Sequence, residues 1–126
     1  MGYKVLIVDD SKLARMAMAK VLGALQPDWT RIEATNADEA VARFAENGAD
    51  IALLDFNMPG RDGLALAAEL HHLKPEMPLA VISANSQHEI VTRARQIGAH
   101  FLTKPLSEQS LSDFLAEAEE RLRAAV

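Results

Sequence analysis

Residues 51–60 read Ile51-Ala-Leu-Leu-Asp55-Phe-Asn-Met-Pro-Gly60, and this stretch decides the fold. Its apolar run is typical of a strand that is buried on both faces, and the residues after Asp55 break the backbone. Asp55 is therefore expected where a buried strand ends and a loop begins. A carboxylate at such a point can bind a metal ion, act as a base, accept a phosphoryl group as a nucleophile, or only cap the following turn.

Four more segments of the chain carry strand signals. Residues 5–8 and 79–82 are continuous apolar runs like the first. Residues 31–35 alternate polar and apolar side chains, and residues 101–103 form only a short run, so both segments are expected at sheet edges. Between and after them, apolar residues recur at helical spacing.

The alternation of five strands with five helices predicts an α/β fold, in which a parallel sheet has helices on both faces. The burial pattern favours a doubly wound, flavodoxin-like sheet with strand order 2-1-3-4-5. In this arrangement, ligands bind outside the carboxyl ends of strands one and three. Five polar side chains should converge there: Asp9, Asp10, Asp55, Ser83 and Lys104.

Three carboxylates at one edge repel one another, and each raises the pKa of its neighbours unless a cation is bound. A few oxygen ligands with room for water favour Mg²⁺, with Asp10 and Asp55 as direct ligands and Asp9 as a ligand through water. Lys104 and the Ser83 hydroxyl supply what an incoming phosphoryl group needs, because phosphoryl transfer depends on positioning and charge neutralisation. Taken singly, the acidic pair is more often a helix cap and Lys104 a solvated surface charge.

Composition restricts the classes of function. A chain of 126 residues with 49% hydrophobic residues fits one domain, expected over residues 1–126. The net charge of -5 argues against general nucleic-acid binding, which needs a cationic face. The sequence has no cysteine and no apolar run near the roughly 18 residues of a membrane span, so we expect a cytoplasmic protein with no membrane contact.

Taken together, these residues resemble the receiver domain of two-component response regulators, and the resemblance covers nearly the whole chain. The matching motifs, in order, are Asp9-Asp10-Ser11, Asp55 with Met58-Pro59-Gly60 and Asp62-Gly63, Ser83-Ala84, and Lys104-Pro105. The resemblance implies that a sensor histidine kinase or phosphotransfer protein phosphorylates Asp55. It also implies that Asp9, Asp10, Asp55 and the backbone carbonyl of Asn57 hold Mg²⁺.

The same resemblance implies roles for residues around the acceptor. Ser83 and Lys104 would contact the phosphoryl oxygens, and Phe101 matches the switch aromatic of the family, which is often tyrosine. Asn57 and Asn85 match positions that influence how readily water reaches the acyl phosphate, and so how long it lasts.

The sequence thus predicts a stand-alone receiver that catalyses only its own phosphorylation and dephosphorylation. Phosphorylation would switch the protein-binding face of helix four, strand five and helix five toward an unidentified protein target, without direct contact to nucleic acid. One alternative is a Mg²⁺-dependent phosphohydrolase of the haloacid dehalogenase type, which typically has a second acid where Asn57 stands. The other is a receiver fragment of a longer regulator with an output domain.

Overall fold

The computed structural model describes residues 2–84 and 87–124, and strands alternate with helices throughout. The elements are β1 (Lys4–Val8), α1 (Lys12–Leu25), β2 (Thr30–Ala34), α2 (Ala37–Asn47), β3 (Ile51–Asp55), α3 (Gly63–Leu73), β4 (Leu79–Ser83), α4 (His88–Gln96), β5 (His100–Thr103) and α5 (Glu108–Ala124). The predicted α/β order is confirmed. Within the described ranges, no helix combines the length and the apolar character needed to cross a bilayer.

The strands form one parallel sheet in the order β2-β1-β3-β4-β5, which confirms the predicted topology. In the register, Val8 pairs with Leu54, Asp55 with Ile82, and Ser83 with Thr103. Neighbouring strands therefore end at nearly the same level. The residues that follow β1, β3, β4 and β5 emerge at one edge of the sheet.

Burial explains the three continuous apolar runs. All residues of β3 and β4, and all of β1 except Lys4, are buried between two helical layers. Helices α2, α3 and α4 pack on one face of the sheet, and α1 and α5 pack on the other. On β2, by contrast, only Ala34 is fully buried, as the alternating sequence predicts for an edge strand.

Side-chain hydrogen bonds cap the N-termini of four described helices, α1, α2, α3 and α5. Ser11 accepts a hydrogen bond from Ala14 N in α1, and Asn36 accepts one from Glu39 N in α2. Thr35 was predicted in β2 but lies outside it, because its backbone N–H donates to the Glu39 side chain instead of a strand. Gly48, the residue directly after α2, has a positive φ of 70°, which glycine adopts without steric cost.

Candidate functional site

The sheet edge brings together the three carboxylates and the lysine that the sequence singled out. Carboxylate oxygens of Asp9, Asp10 and Asp55 all lie within 4.8 Å of one another. The Lys104 ammonium reaches in from the end of β5, with Nζ 2.9 Å from Asp55 Oδ1 and 3.5 Å from Asp9 Oδ2. Asp9 and Asp55 are only 1% and 3% exposed, whereas Asp10 faces solvent. The site is thus an acidic pocket with one exposed wall.

Asp9 is held by bonds to its backbone and to its side chain. Its N–H donates to Ala34 O at 3.2 Å, and its Oδ1 accepts from Ser11 N at 2.9 Å. Its carbonyl oxygen accepts from Arg15 Nη1 at 2.7 Å. These bonds use one carboxylate oxygen and both backbone groups of Asp9, so its position in the pocket is fixed by the fold.

The loop after Asp55 is closed tightly beneath it. Phe56 N donates to Ile82 O at 2.8 Å, and Gly63 N donates back to Phe56 O at 3.0 Å. A Cβ at Gly63 would lie 2.4 Å from the carbonyl oxygen of Asp55, so this close approach requires glycine. Asn57 is exposed in this loop, and Met58 is buried and anchors it in the core.

Ser83 and Phe101 lie on the strands next to the pocket. Ser83 ends β4 and is fully buried, and its carbonyl oxygen accepts a hydrogen bond from Lys104 N at 3.0 Å. Phe101 on β5 is half-buried and packs against the core beneath α2, α3 and α4. It lines a cleft of about 450 Å³ beside α4. Asn85, which was assigned an effect on phosphoryl lifetime, lies outside the described residues.

The environment of Asp55 disfavours its charged form. Burial raises the pKa of this carboxyl most, the contact with Lys104 lowers it, and the charges of Asp9 and Asp10 raise it further, so the net pKa is above its ordinary value. For Lys104, burial lowers the pKa, but the close ion pair with Asp55 and the charge of Asp9 outweigh it, so the net pKa is raised. Lys104 therefore stays protonated and partly balances the acids.

The donor set fits a hard divalent cation. Asp55 Oδ1 is buried and has the Lys104 ammonium at ion-pair distance, but no well-aligned hydrogen-bond donor reaches it from the residues described. Likewise, none of the described residues forms an ion pair with Asp10. Buried or crowded carboxylate oxygens that lack donors are the ligands Mg²⁺ prefers. An all-oxygen site with an open side also leaves room for water.

Sequence reasoning did not assign two residues that the structure brings to the site. Gly63 contacts the Asp55 backbone, and Arg15 on α1 contacts the Asp9 carbonyl. For Gly63 the signal was its place directly after the helix cap Asp62. For Arg15 the signal was weaker. It lies four residues after the cap Ser11, about one helical turn along α1, and therefore on the same face of the helix as Ser11.

Comparison with known proteins gives the class of this site. The family model described as the response regulator receiver domain matches residues 5–116. The positive alginate biosynthesis regulatory protein of Pseudomonas aeruginosa is 40% identical over 90% of this chain and 46% of its own length. A protein-glutamate methylesterase/protein-glutamine glutaminase of Paraburkholderia xenovorans is 37% identical over 97% of this chain and 35% of its own length.

A solved structure has the same fold. The CheX-CheY-BeF3-Mg+2 complex from Borrelia burgdorferi matches with a TM-score of 0.83 and 25% identity, covering 91% of this chain and 87% of that one. The chain belongs to the response regulator receiver domain family, the phosphoacceptor class of two-component signalling. It spans about half (46%) or a third (35%) of the length of the two curated relatives.

Proposed function

We propose that Asp55 is the residue that accepts the phosphoryl group and that a sensor histidine kinase or phosphotransfer protein donates it. The observation that supports this most is the position of Asp55. It is 3% exposed at the end of β3, with the Lys104 ammonium 2.9 Å away and two further carboxylates within 4.8 Å. Asp9 and Asp10 lack this combination: an oxygen of Asp9 already accepts the Ser11 N–H, and no lysine contacts Asp10 among the described residues.

In the proposed transfer, an ionised Asp55 oxygen attacks phosphorus and a new P–O bond forms. The P–N bond of the donor phosphohistidine breaks, and its electron pair stays on the imidazole nitrogen. Lys104 remains protonated and follows the phosphoryl oxygens as they approach, which neutralises charge where it accumulates. The fully buried Ser83 supplies a hydroxyl from β4.

Mg²⁺ would be held by Asp10, Asp55 and the backbone carbonyl of Asn57, and by Asp9 through water. When bound, it neutralises the acidic pocket and the phosphoryl oxygens, which allows an anionic group to enter. The residues of the chain do the rest. Asp9 is held in place by its backbone bonds, and Gly63 lets α3 pack directly on the Asp55 backbone.

The direct test is phosphorylation by acetyl phosphate with Mg²⁺. Intact-protein mass spectrometry should find one added phosphoryl group that is lost at alkaline pH, and Asp55→Asn should abolish it. Asp28→Asn is the matched control, because Asp28 is an exposed carboxylate that precedes β2 at the opposite end of the sheet. Persistent labelling of Asp55→Asn would show that Asp55 is not the phosphoacceptor. Rapid turnover of para-nitrophenyl phosphate would instead favour the phosphohydrolase alternative.

An apolar surface beside Lys104 supports a protein as the donor. A cleft of about 520 Å³ between α1 and the segment after β5 opens onto Asp9 and Lys104. On α1, Leu13 and Met16 are 79% and 56% exposed. We assign this surface to the histidine-bearing helix of the donor. Leu13→Ser should slow transfer from a phosphorylated donor protein and leave labelling by acetyl phosphate unchanged; equal slowing of both would contradict this assignment.

The proposed output is a change in protein binding. The Ser83 hydroxyl would reach a phosphoryl group by an inward shift of the loop after β4, and Phe101 would turn into the space that the loop leaves. Two contacts support this coupling: Ser83 pairs with Thr103 across the sheet, and Ser83 O accepts from Lys104 N. The face formed by α4, β5 and α5 would then bind an unidentified protein target as a population shift.

The organisation of the native protein is also a proposal. We propose one receiver domain over residues 1–126 in the cytoplasm, which acts without direct contact to nucleic acid or membrane and catalyses only its own phosphorylation and dephosphorylation. The two curated relatives support the alternative that this chain is the receiver part of a longer regulator, since both are longer than this chain and one is named a methylesterase. Determining the length of the native gene product decides between the two.

A further inference from the structure

Arg15 connects three elements at the edge of the acidic pocket. Its Nη1 donates to the carbonyl oxygen of Asp9 at 2.7 Å, and its Nε donates to Glu33 Oε1 on β2 at 3.2 Å. The side chain is only 13% exposed, so it is packed rather than solvated. One guanidinium on α1 thus holds the end of β1 and the edge strand β2 in a fixed relation.

The Asp9 carbonyl is the group through which Arg15 acts on the pocket. This carbonyl belongs to the peptide that also carries the Asp10 N–H. The neighbouring groups are fixed by other bonds, since Asp9 N donates to Ala34 O, Ser11 N to Asp9 Oδ1, and Arg15 N to Ser11 O. Among the described residues, the Arg15 bond is the one hydrogen bond made by the Asp9–Asp10 peptide, so we infer that the orientation of this peptide depends on it.

We propose that Arg15 is a positioning residue for the cation site: it fixes the Asp9–Asp10 peptide and so keeps the exposed Asp10 carboxylate close to Asp55. The proposal rests on the proposed Mg²⁺-dependent function. Arg15 is not one of the proposed ligands of the cation or of the phosphoryl group. It acts through Asp10, as residues behind metal ligands generally do when they set metal affinity.

A positioning role and a purely electrostatic role of Arg15 predict opposite changes in Mg²⁺ affinity when Arg15 is removed. A guanidinium near the pocket repels a divalent cation, so its removal should tighten Mg²⁺ binding if Arg15 matters only as a charge. Removal should weaken binding if Arg15 positions Asp10. The sign of the change therefore distinguishes the two roles.

The experiment is a Mg²⁺ titration of the whole chain, followed by amide NMR and calorimetry. Arg15→Gln should weaken Mg²⁺ binding by about tenfold, in the range typical of groups that support metal ligands. It should also shift the Asp10 and Ser11 amide signals of the metal-free protein. Arg15→Lys keeps the charge but not the two-armed geometry, and should bind about threefold more weakly than the parent.

Arg31→Gln is the matched control. Arg31 also donates to a backbone carbonyl, Ala19 O of α1 at 3.4 Å, but it lies near the opposite end of β2. This variant loses the same charge and should keep the Mg²⁺ affinity and the Asp10 signal of the parent. Equal loss in Arg15→Gln and Arg31→Gln would overturn the proposal, because the weakening would then not depend on the bond from Arg15 to the Asp9 carbonyl.

Unchanged or tighter Mg²⁺ binding by Arg15→Gln would also overturn it. Should Arg15→Gln fail to fold, Arg15→Lys decides: weaker binding with a shifted Asp10 amide supports the proposal, and parental affinity overturns it. Failure of the parent chain to bind Mg²⁺ is a separate result. It would refute the proposed cation site itself, and the role of Arg15 with it.

Discussion

Asp10→Asn should make the metal-free protein more stable and its Mg²⁺ complex weaker. The Asp10 carboxylate lies within 4.8 Å of two other carboxylates, and Lys104 makes its ion pairs with those two rather than with Asp10. At 4.8 Å, two unit charges repel by about 3.5 kcal/mol at an effective dielectric of 20 and by about 0.9 kcal/mol in bulk water.

Because Asp10 is exposed, the lower value is the better guide for each pair. We therefore expect a gain of about 1–2 kcal/mol in the free energy of unfolding, or about 3–8 °C in Tm for a chain of this length. Thermal melting with a chelator measures it. Mg²⁺ at 100 times its Kd should stabilise the parent by about 2.7 kcal/mol. Asp10→Asn should show a smaller rise at the same concentration, because it has lost a ligand.

Asp28→Asn is again the control, since it removes an exposed charge far from the pocket and should leave both melting temperatures unchanged within error. The explanation by charge repulsion would be refuted if Asp10→Asn melted below the parent in chelator and still gained as much stability from Mg²⁺.

Four further outcomes follow from the contacts of Asp55, Lys104 and Ser83. In the folded protein, the pKa of Asp55 is raised above its ordinary value of 3.8. Protonated Asp55 therefore stabilises the folded state fully below pH 3.8, and this stabilisation is lost as pH rises through the raised pKa. Asp55→Asn should therefore exceed the parent in stability at neutral pH, and denaturation between pH 3 and pH 8 should show the advantage disappearing toward acid. Labelling of the parent by acetyl phosphate with Mg²⁺ should slow toward acid as Asp55 becomes protonated, at a pH below its metal-free pKa because bound Mg²⁺ favours the carboxylate; a constant rate would contradict it. Lys104→Met leaves Asp55 without its ion pair, so the metal-free protein should lose about 1–2 kcal/mol in urea unfolding and label slowly. In Ser83→Ala, beryllofluoride with Mg²⁺ should still bind, but the amide shift at Phe101 should shrink. A full parental shift would move the coupling to Lys104.

Local patterns were sufficient to predict the strands and the acidic residues. The runs at β1, β3 and β4 are apolar throughout because both faces of these strands are buried, and the alternating run at β2 has one exposed face. Strand character therefore predicted sheet order. The acids follow from the same logic, since a polar residue that ends a doubly buried strand must emerge at the edge of the sheet.

The boundaries were less predictable, because side-chain bonds that are invisible in the pattern decide them. Thr35 continues the alternation of β2, yet its N–H is taken by Glu39 and the strand ends one residue earlier. Asn36 and Asp38 are both residue types that commonly cap a helix. The choice of Asn36 depends on the direction in which the chain enters the helix, which only the packed sheet determines.

What the sequence determined by itself is the order of elements, the parallel sheet and the identity of the pocket residues, because these depend on burial patterns along single segments. Only the tertiary structure decided the contacts between segments distant in sequence. It set the 2.9 Å approach of Lys104 to Asp55, the bond from Arg15 to the Asp9 carbonyl, and the contact of Gly63 with the Asp55 backbone. The physical reason is that the distance between two side chains depends on how whole helices and strands pack, and no local pattern encodes that distance.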